Sequence, residues 1–405
     1  MAVVTLREES ARQGGFYVPR FEIKIAGANL PLDVLRDVMQ VTYKDSVKEL
    51  DSFEITVNNW DADKKQFKYV GAETQDSLKK NPLHNLFNPC GHDVDVLMGY
   101  GANPLTQMLR GNFVTMEPNF PSSGGSTLAV RGLNVLHKLR TSRRTYAWEH
   151  KRPSKIAKSF EDLPTDTKQK DSKPFPLPVD IDGNDVNNEP EITYIAQSNQ
   201  WDIEFLLALA RRVGYVIFVK EEEKKGDKVK PRRLYFGPSD ANHQGIRLVT
   251  FELKWGLSLI DFKPTLTTAN QIKSVTVNGW DRKTKQPIRG TASIDSLTLN
   301  GDLRENFESC DEREERVEDE PVFTQDEADK RAKDLLKERS RDLVKASGTC
   351  IGLPELRAGQ RVVIGNLGSR FSGQYFITDT THTISDSGYI TKFSARREDP
   401  DKERS

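Results

Sequence analysis

The chain has 405 residues, enough for two to four domains, with 30% charged and 36% hydrophobic residues. Its 60 basic and 60 acidic side chains cancel, so no global field draws it to nucleic acid or to an anionic membrane. Met1 to Arg12 lacks the apolar core of a secretory signal, and no apolar run approaches the ~20 residues of a membrane helix. Cys90, Cys310 and Cys350 are odd in number and widely spaced, which fits synthesis in a reducing cytoplasm.

Phe21, Ile23 and Ile25 alternate with polar residues and predict a strand; Val38 to Tyr43 and Phe53 to Val57 predict two more. Leu83 to Pro89 is irregular and reads as a loop, after which strands resume to about Gly132. A first all-β unit is expected over 1–145. Lys138 to Lys158 then carries eight basic residues against one acid, Glu149, with Tyr146 and Trp148 interleaved. Such a stretch could stack and neutralise nucleic acid, or dock a protein. Prolines 164, 174, 176, 178 and 190 make the following segment an extended loop.

Trp201, Phe205, Leu206, Leu209, Ala210 and Val213 share one face at helical spacing. Ser198 or Asn199 can cap that helix, and Gly214 can end it. Tyr215 to Val219 and Leu234 to Phe236 follow as strands, so 146–248 is expected to be an α+β insert. A second β unit spans 249–397 and holds an insertion at 291–347. Within it, Asp302 to Glu320 has ten acids and three arginines, a net −7 that mirrors the net +7 of Lys138 to Lys158. Complementary patches of this size favour docking between subunits over binding DNA. Thr324-Gln325-Asp326-Glu327 is a capping box, and Ala328, Ala332, Leu335, Leu336 and Leu343 form an apolar stripe behind it. That helix is expected to end near Gly348. Residues 398–405 form a polar tail.

The two β units echo each other. Thr56-Val57-Asn58-Asn59-Trp60-Asp61, running on to Lys65-Gln66, returns as Thr276-Val277-Asn278-Gly279-Trp280-Asp281, running on to Lys285-Gln286; seven of eleven positions are identical. A repeat so widely spaced means two copies of a domain, since solenoid repeats recur every ~20–50 residues. Gly91 to Val96, Arg110 to Thr115 and Gly125 to Val130 are answered by Gly359 to Ile364, Ser372 to Ile377 and Gly388 to Phe393. The growing offset places the second copy's insertion between Gln286 and Gly359. The fold class expected is therefore mainly β with an α+β insert: two related antiparallel, tube-like β-barrels around a small middle domain.

Little here predicts catalysis. His84, Cys90 and His92 lie close in sequence, but no second Cys/His pair completes a zinc set. Asp180-Ile181-Asp182-Gly183-Asn184 with Glu191 loosely resembles a calcium loop, yet Asp185 stands where the turn glycine belongs. No nucleophile elbow, His-Glu-x-x-His or phosphate-binding glycine loop occurs. His382 falls on a predicted strand without an evident acid or nucleophile beside it. The Asn-x-Trp-Asp pair reads as a strand end with turn-forming side chains. No catalytic, cofactor-binding or metal-binding residues are assigned, no cofactor is expected, and the chain is read as a non-enzyme.

Gly348-Thr349-Cys350-Ile351-Gly352-Leu353-Pro354-Glu355-Leu356-Arg357-Ala358-Gly359, with Phe371 to Tyr375, His382, Gly388 to Thr391 and Arg396, resembles the C-terminal signature of the phage late control gene D family. Gln325 to Arg331, Leu35 to Asp45, Asp51 to Phe53 and Gln197 to Gly214 resemble other parts of it. That family comprises baseplate hubs of contractile tails and contractile injection systems, and is similar to the N-terminal hub part of VgrG. The resemblance implies a structural homotrimer whose six barrels form a pseudo-sixfold ring between a hexameric inner tube and a trimeric spike. It implies as partners the tube or tube-initiator proteins, the spike, other baseplate proteins and cargo, without nucleic acid or direct membrane insertion. Assembly is expected in the cytoplasm, in a phage-tail-like particle. Since only eight residues follow Arg397, the spike is expected to be a separate protein. The runner-up is a tail-associated cell-wall-degrading or nucleic-acid-binding protein.

Overall fold

The computed structural model describes residues 3–5, 15, 18–101, 103–140, 143–162, 175, 177–181, 189–221, 223–225, 228–238, 250–267, 272–282, 284–294, 313–318, 322–341 and 343–397. The fold is mainly β and mostly antiparallel, with few helices. In the first half the strands are β1 (Pro19–Ile25), β2 (Val38–Ser46), β3 (Ser52–Asn58), β4 (Asp93–Tyr100), β5 (Thr106–Asn119) and β6 (Thr127–Asn134). Their pairing order is β1-β4-β5-β6-β3-β2. In β3, Phe53, Ile55 and Val57 are buried and alternate with half-buried polar residues, as the period-two pattern requires. With Val96, Leu109, Phe113 and Val130 they make the first core.

The middle unit contains β7 (Arg143–Lys151), β8 (Ile192–Trp201), helix α1 (Asp202–Arg212), β9 (Tyr215–Lys220) and β10 (Arg233–Pro238). Its core reaches back to Val135, Leu136 and Leu139 and centres on Trp148, which stacks on Phe205 at 5.0 Å and Phe160 at 5.5 Å. Trp201, rather than Ser198 or Asn199, occupies the N-cap of α1, with no side-chain cap bond. Gln197 instead reaches Asp202 Oδ1 at 2.9 Å and Arg144 pairs with the same carboxylate, so the first turn is held from β7 and β8. Gly214 does end the helix, at φ 71°.

The second half holds β11 (Thr250–Lys254), β12 (Leu259–Leu266), β13 (Ser274–Asp281), β14 (Gln286–Ser293), β15 (Glu314–Val317), helix α2 (Gln325–Arg341), β16 (Val344–Ile351), β17 (Arg361–Gly365), β18 (Gly373–Ser385) and β19 (Gly388–Arg397). Here the order is β11-β17-β18-β19-β16-β12. Strand by strand it repeats the first half. The correspondence includes a bulge: Val114 is the extra residue opposite Arg131/Gly132, and Thr378 the extra residue opposite Ser394/Ala395. One departure is β11, which pairs with β17 in parallel, whereas β1 runs antiparallel to β4.

Two expectations change. Among the described strands the halves do not close as separate barrels; they share one sheet of 14 strands, joined where β18 pairs with β2. Pairing also makes β16, not β13, the counterpart of β3. Strand β13 stands in its own three-stranded sheet with β14 and β15, and α2 packs on it through Ala328, Ala332, Leu335 and Leu336. The added unit therefore lies between β12 and β16, over 267–343, and includes the Trp280 hairpin instead of starting after it. What the two Trp segments share is turn chemistry. Asp61 Oδ1 accepts from the amides of Asp63 and Lys64, and Asp281 Oδ1 from that of Thr284. Lys65 and Lys285 both adopt left-handed φ, 52° and 54°. Thr324 Oγ1 caps the Glu327 amide as expected, while Glu327 reaches the Phe323 amide at 3.1 Å. The helix stops at Arg341, and Gly348 is instead a strand residue whose missing side chain leaves room for the Phe393 ring.

Candidate functional site: the junction of the two halves

The most elaborate polar cluster sits where the halves meet. Strand β18 pairs by its first residues, Gly373 to Phe376, with β17, and by its last, Asp379 to Ser385, with β2. The bulge residue Thr378 offers its carbonyl to the Val47 amide at 3.0 Å, which extends the joint. Loop 352–360, between β16 and β17, then crosses into the first half. Tyr100 donates its hydroxyl to Gly352 O at 2.8 Å, and Thr106 to Glu355 Oε1 at 2.8 Å. Gly352 lies against the Tyr389 ring at a distance no Cβ would tolerate, so glycine is required there.

Arg357 is the pin of this loop. Its Nε donates to Asp45 Oδ2 at 2.7 Å, one terminal nitrogen donates to Met108 O at 2.8 Å and to the Tyr43 hydroxyl, and the guanidinium lies 4.4 Å from the Tyr43 ring centre. Asp45 also accepts from the Ala358 amide at 3.2 Å and from the Thr380 hydroxyl. Side-chain exposures of 4% and 7% make Arg357–Asp45 a fully desolvated pair. Its position on β2 lets Asp45 receive donors from the loop and from β18 at once. His382 is equally buried; its ring nitrogens meet Tyr389 Oη at 2.9 Å and Leu356 O at 2.9 Å, with Thr391 Oγ1 3.1 Å away. It props the loop.

Burial raises the Asp45 carboxyl, but Arg357 and His382 beside it and the Thr380 hydrogen bond outweigh that, holding it below the usual carboxylate range. Burial works against the Arg357 charge too, and Tyr43 and Asp45 outweigh it. Asp51, at the β2–β3 turn, is pushed up to about 7 by burial and by the neighbouring Asp45 charge. Arg357 and His382 are enclosed by the two halves, 3% and 0% exposed. The cluster ties the 352–360 loop to β2 and β18.

The other singled-out residues are dispersed. His84 Nδ1 bonds Ser77 Oγ at 3.1 Å, while Cys90 and His92 line an open cleft of about 640 Å³ with Asp93, Arg110 and Lys138. Arg110 is paired to Asp95 there, and Lys138 to Asp93. Among the described residues no group of three His, Cys, Asp or Glu side chains is placed to hold a metal. Asp180 is taken by Lys220 at 2.8 Å and Arg233 at 2.9 Å; 182–188 of the calcium-like segment lie outside the described residues. Of the basic stretch, Trp148 is buried and cannot stack on a base, while Tyr146 is exposed. Glu315 is held at 2.8 Å by Arg339 of α2, and Glu314 by Arg316 and Thr276, so within the chain these acids pair with their own unit. Asp311 and Glu312 lie outside the described residues. No helix among the described residues is long and apolar enough to cross a membrane.

Sequence reasoning missed the Arg357–Asp45 pin. An arginine set between the apolar Leu356 and Ala358 was the signal available.

The family model described as the Alg8 N-terminal domain matches residues 17–386. No curated protein matches the sequence. In fold, the chain is similar to the 43 kDa tail protein of prophage MuSo2 from Shewanella oneidensis, with TM-score 0.63, 15% identity, and 94% of this chain and 98% of that one covered. It is also similar to a tail protein from Neisseria meningitidis, with TM-score 0.62, 13% identity and coverages of 94% and 97%. A type VI secretion system component from E. coli, itself described as similar to T4 tail proteins gp27 and gp5, aligns at TM-score 0.52 and 12% identity, covering 94% of this chain and 77% of that one. At these identities the likeness is one of fold.

Proposed function

The chain belongs to the Alg8 N-terminal domain family, and on that premise we propose that it is the structural hub of a contractile injection system or phage-tail baseplate. In this reading three copies form a pseudo-sixfold ring that joins a hexameric inner tube to a separate trimeric spike. One observation carries it: the strand order β2-β3-β6-β5-β4 recurs as β12-β16-β19-β18-β17, bulge included. A chain with two equivalent halves supplies six similar units from three copies, while the unit at 267–343 keeps the ring threefold. The fold shared with tail proteins and the resemblance to the late control gene D family support the same assignment.

In this reading the protein acts without catalysis, its buried Asp45, Arg357 and His382 serving to hold the two halves together. Partners are the tube or tube-initiator proteins, the spike, other baseplate proteins and cargo, met in a cytoplasmically assembled particle. The division into a first half (1–145), a middle unit (146–248) and a second half (249–397) belongs to the proposal. Mass measurement of the assembled hub should give three copies of the 45.9 kDa chain, and negative-stain images a threefold ring with a central opening. A stable hexamer, or a monomer within the particle, would refute it.

A further inference from the structure

The internal joint has a counterpart whose two sides are both present in the chain but not in contact. Residues 379–385 of β18 lie beyond the end of β17, and β2, the outermost strand of the first half, fills that edge. By the strand correspondence, residues 113–119 of β5 lie beyond the end of β4 in the same way: β4 pairs only up to Asn112, and β6 occupies the opposite edge. The counterpart of β2 is β12, which pairs on one edge with β16. Among the described residues, no strand pairs with the free edge of β12 or with that part of β5. Among the described residues, each chain thus presents one edge of β12 and one edge of β5 that match the two sides of its own internal joint.

We propose that β12 of one copy adds antiparallel to residues 116–120, the end of β5 and the residue after it, in the next copy, forming the seam between subunits. This rests on the ring reading above and specifies where its subunits meet. A head-to-tail contact of this kind is heterologous and closes only as a ring. Its register follows from the internal one. Thr380 faces Asp45 and Thr381 faces Lys44 across β18–β2. Transferred through the common β6 and β19 registers, those pairs become Met116 with Leu266 and Glu117 with Thr265.

The face parity agrees, and a one-residue slip would destroy it. Met116 packs on the first core and Leu266 and Phe262 on the second. In this register Met116, Pro118 and Phe120 oppose Leu266, Pro264 and Phe262 on one continuous face, and Glu117 meets Thr265 on the other. Phe120 is 53% exposed and Ile260 60%, apolar surface that a neighbouring strand would cover. Pro118 and Pro264, which fall opposite each other, have no amide hydrogen, unlike His382 and Tyr43 at the internal pair. Proline at both edges weakens the seam and discourages pairing with unrelated strands.

The test is disulfide trapping. In the full chain with Cys90 and Cys310 replaced by Ser, Glu117→Cys and Thr265→Cys are combined and oxidised across a protein concentration series. Directly opposed Cα atoms of an antiparallel pair lie about 4.5–5.5 Å apart, inside the roughly 4.4–6.8 Å that a disulfide spans. Lys44→Cys with Thr381→Cys is the internal control, closing within one chain without change of mass. Glu117→Cys with Asp261→Cys, displaced by about 13 Å along the strand, is the register control. Conversion of most chains to a covalent trimer by the first pair, at least tenfold above the register control, is expected. If sedimentation shows a trimer and the in-register pair does not close, the seam lies elsewhere and this inference falls while the ring reading stands. Covalent species growing past three chains would uphold the seam and refute the trimer. Absence of both association and trapping would overturn both.

Discussion

Replacing Arg357 by Met should unpin the two halves. The change removes the donors to Asp45 Oδ2, Met108 O and Tyr43, and it leaves the buried Asp45 carboxylate with the Thr380 hydroxyl and the Ala358 amide as its donors and His382 nearby. Breaking a buried ion pair from one side costs about 3–5 kcal/mol, because the abandoned charge keeps its desolvation penalty. Domain stabilities are about 5–15 kcal/mol, so urea denaturation followed by circular dichroism should show a large loss at neutral pH. Arg357→Met combined with Asp45→Asn removes the orphaned charge and should recover at least about 1–2 kcal/mol relative to the single change. The pH dependence has a definite sign. The folded-state pKa of Asp45 lies below its unfolded value, so its contribution is present above about pH 4 and is lost as pH falls through the folded value. The single variant should therefore lose less stability than wild type on acidification. A cost under about 1 kcal/mol, or double-variant energies equal to the sum of the singles, would refute the reasoning.

Asp51 has the opposite sign: its carboxyl is raised from 3.8 to about 7, so ionising it destabilises the fold as pH climbs from about 4 to 7. Asp51→Asn should raise the thermal midpoint above pH 7, by at most about 4 kcal/mol in free energy, and change little near pH 4. Leu336→Ala, which opens the α2–β13–β14 core, should cost about 2–5 kcal/mol by denaturant unfolding. Glu315→Gln removes a partly exposed pair with Arg339 and should cost no more than about 1 kcal/mol, leaving the assembled mass unchanged at every salt concentration. With Trp148 enclosed by Phe160 and Phe205, a gel-shift titration with single-stranded DNA at physiological salt should show no binding.

The parts of this protein written within a few residues were legible before any coordinates. Alternation in Phe53 to Val57 predicted β3, the Thr324/Glu327 pair predicted the start of α2, and Gly214 marked the end of α1, because each depends on contacts one turn or one pleat away. The doubled design was visible too, through echoes that fall on β4, β5 and β6 and on β17, β18 and β19. The Trp60 and Trp280 segments misled about which strands correspond. Their likeness reflects one local need, an aspartate-capped turn closed by a left-handed lysine, met in two different sheets. Only the tertiary structure decided that β16 answers β3, that the halves share a sheet, and that Arg357 reaches Asp45 across a separation of 312 residues. Those choices turn on register and on which charges lose their water together. A sequence records spacing along the chain, whereas desolvation and strand pairing act between segments that spacing does not connect.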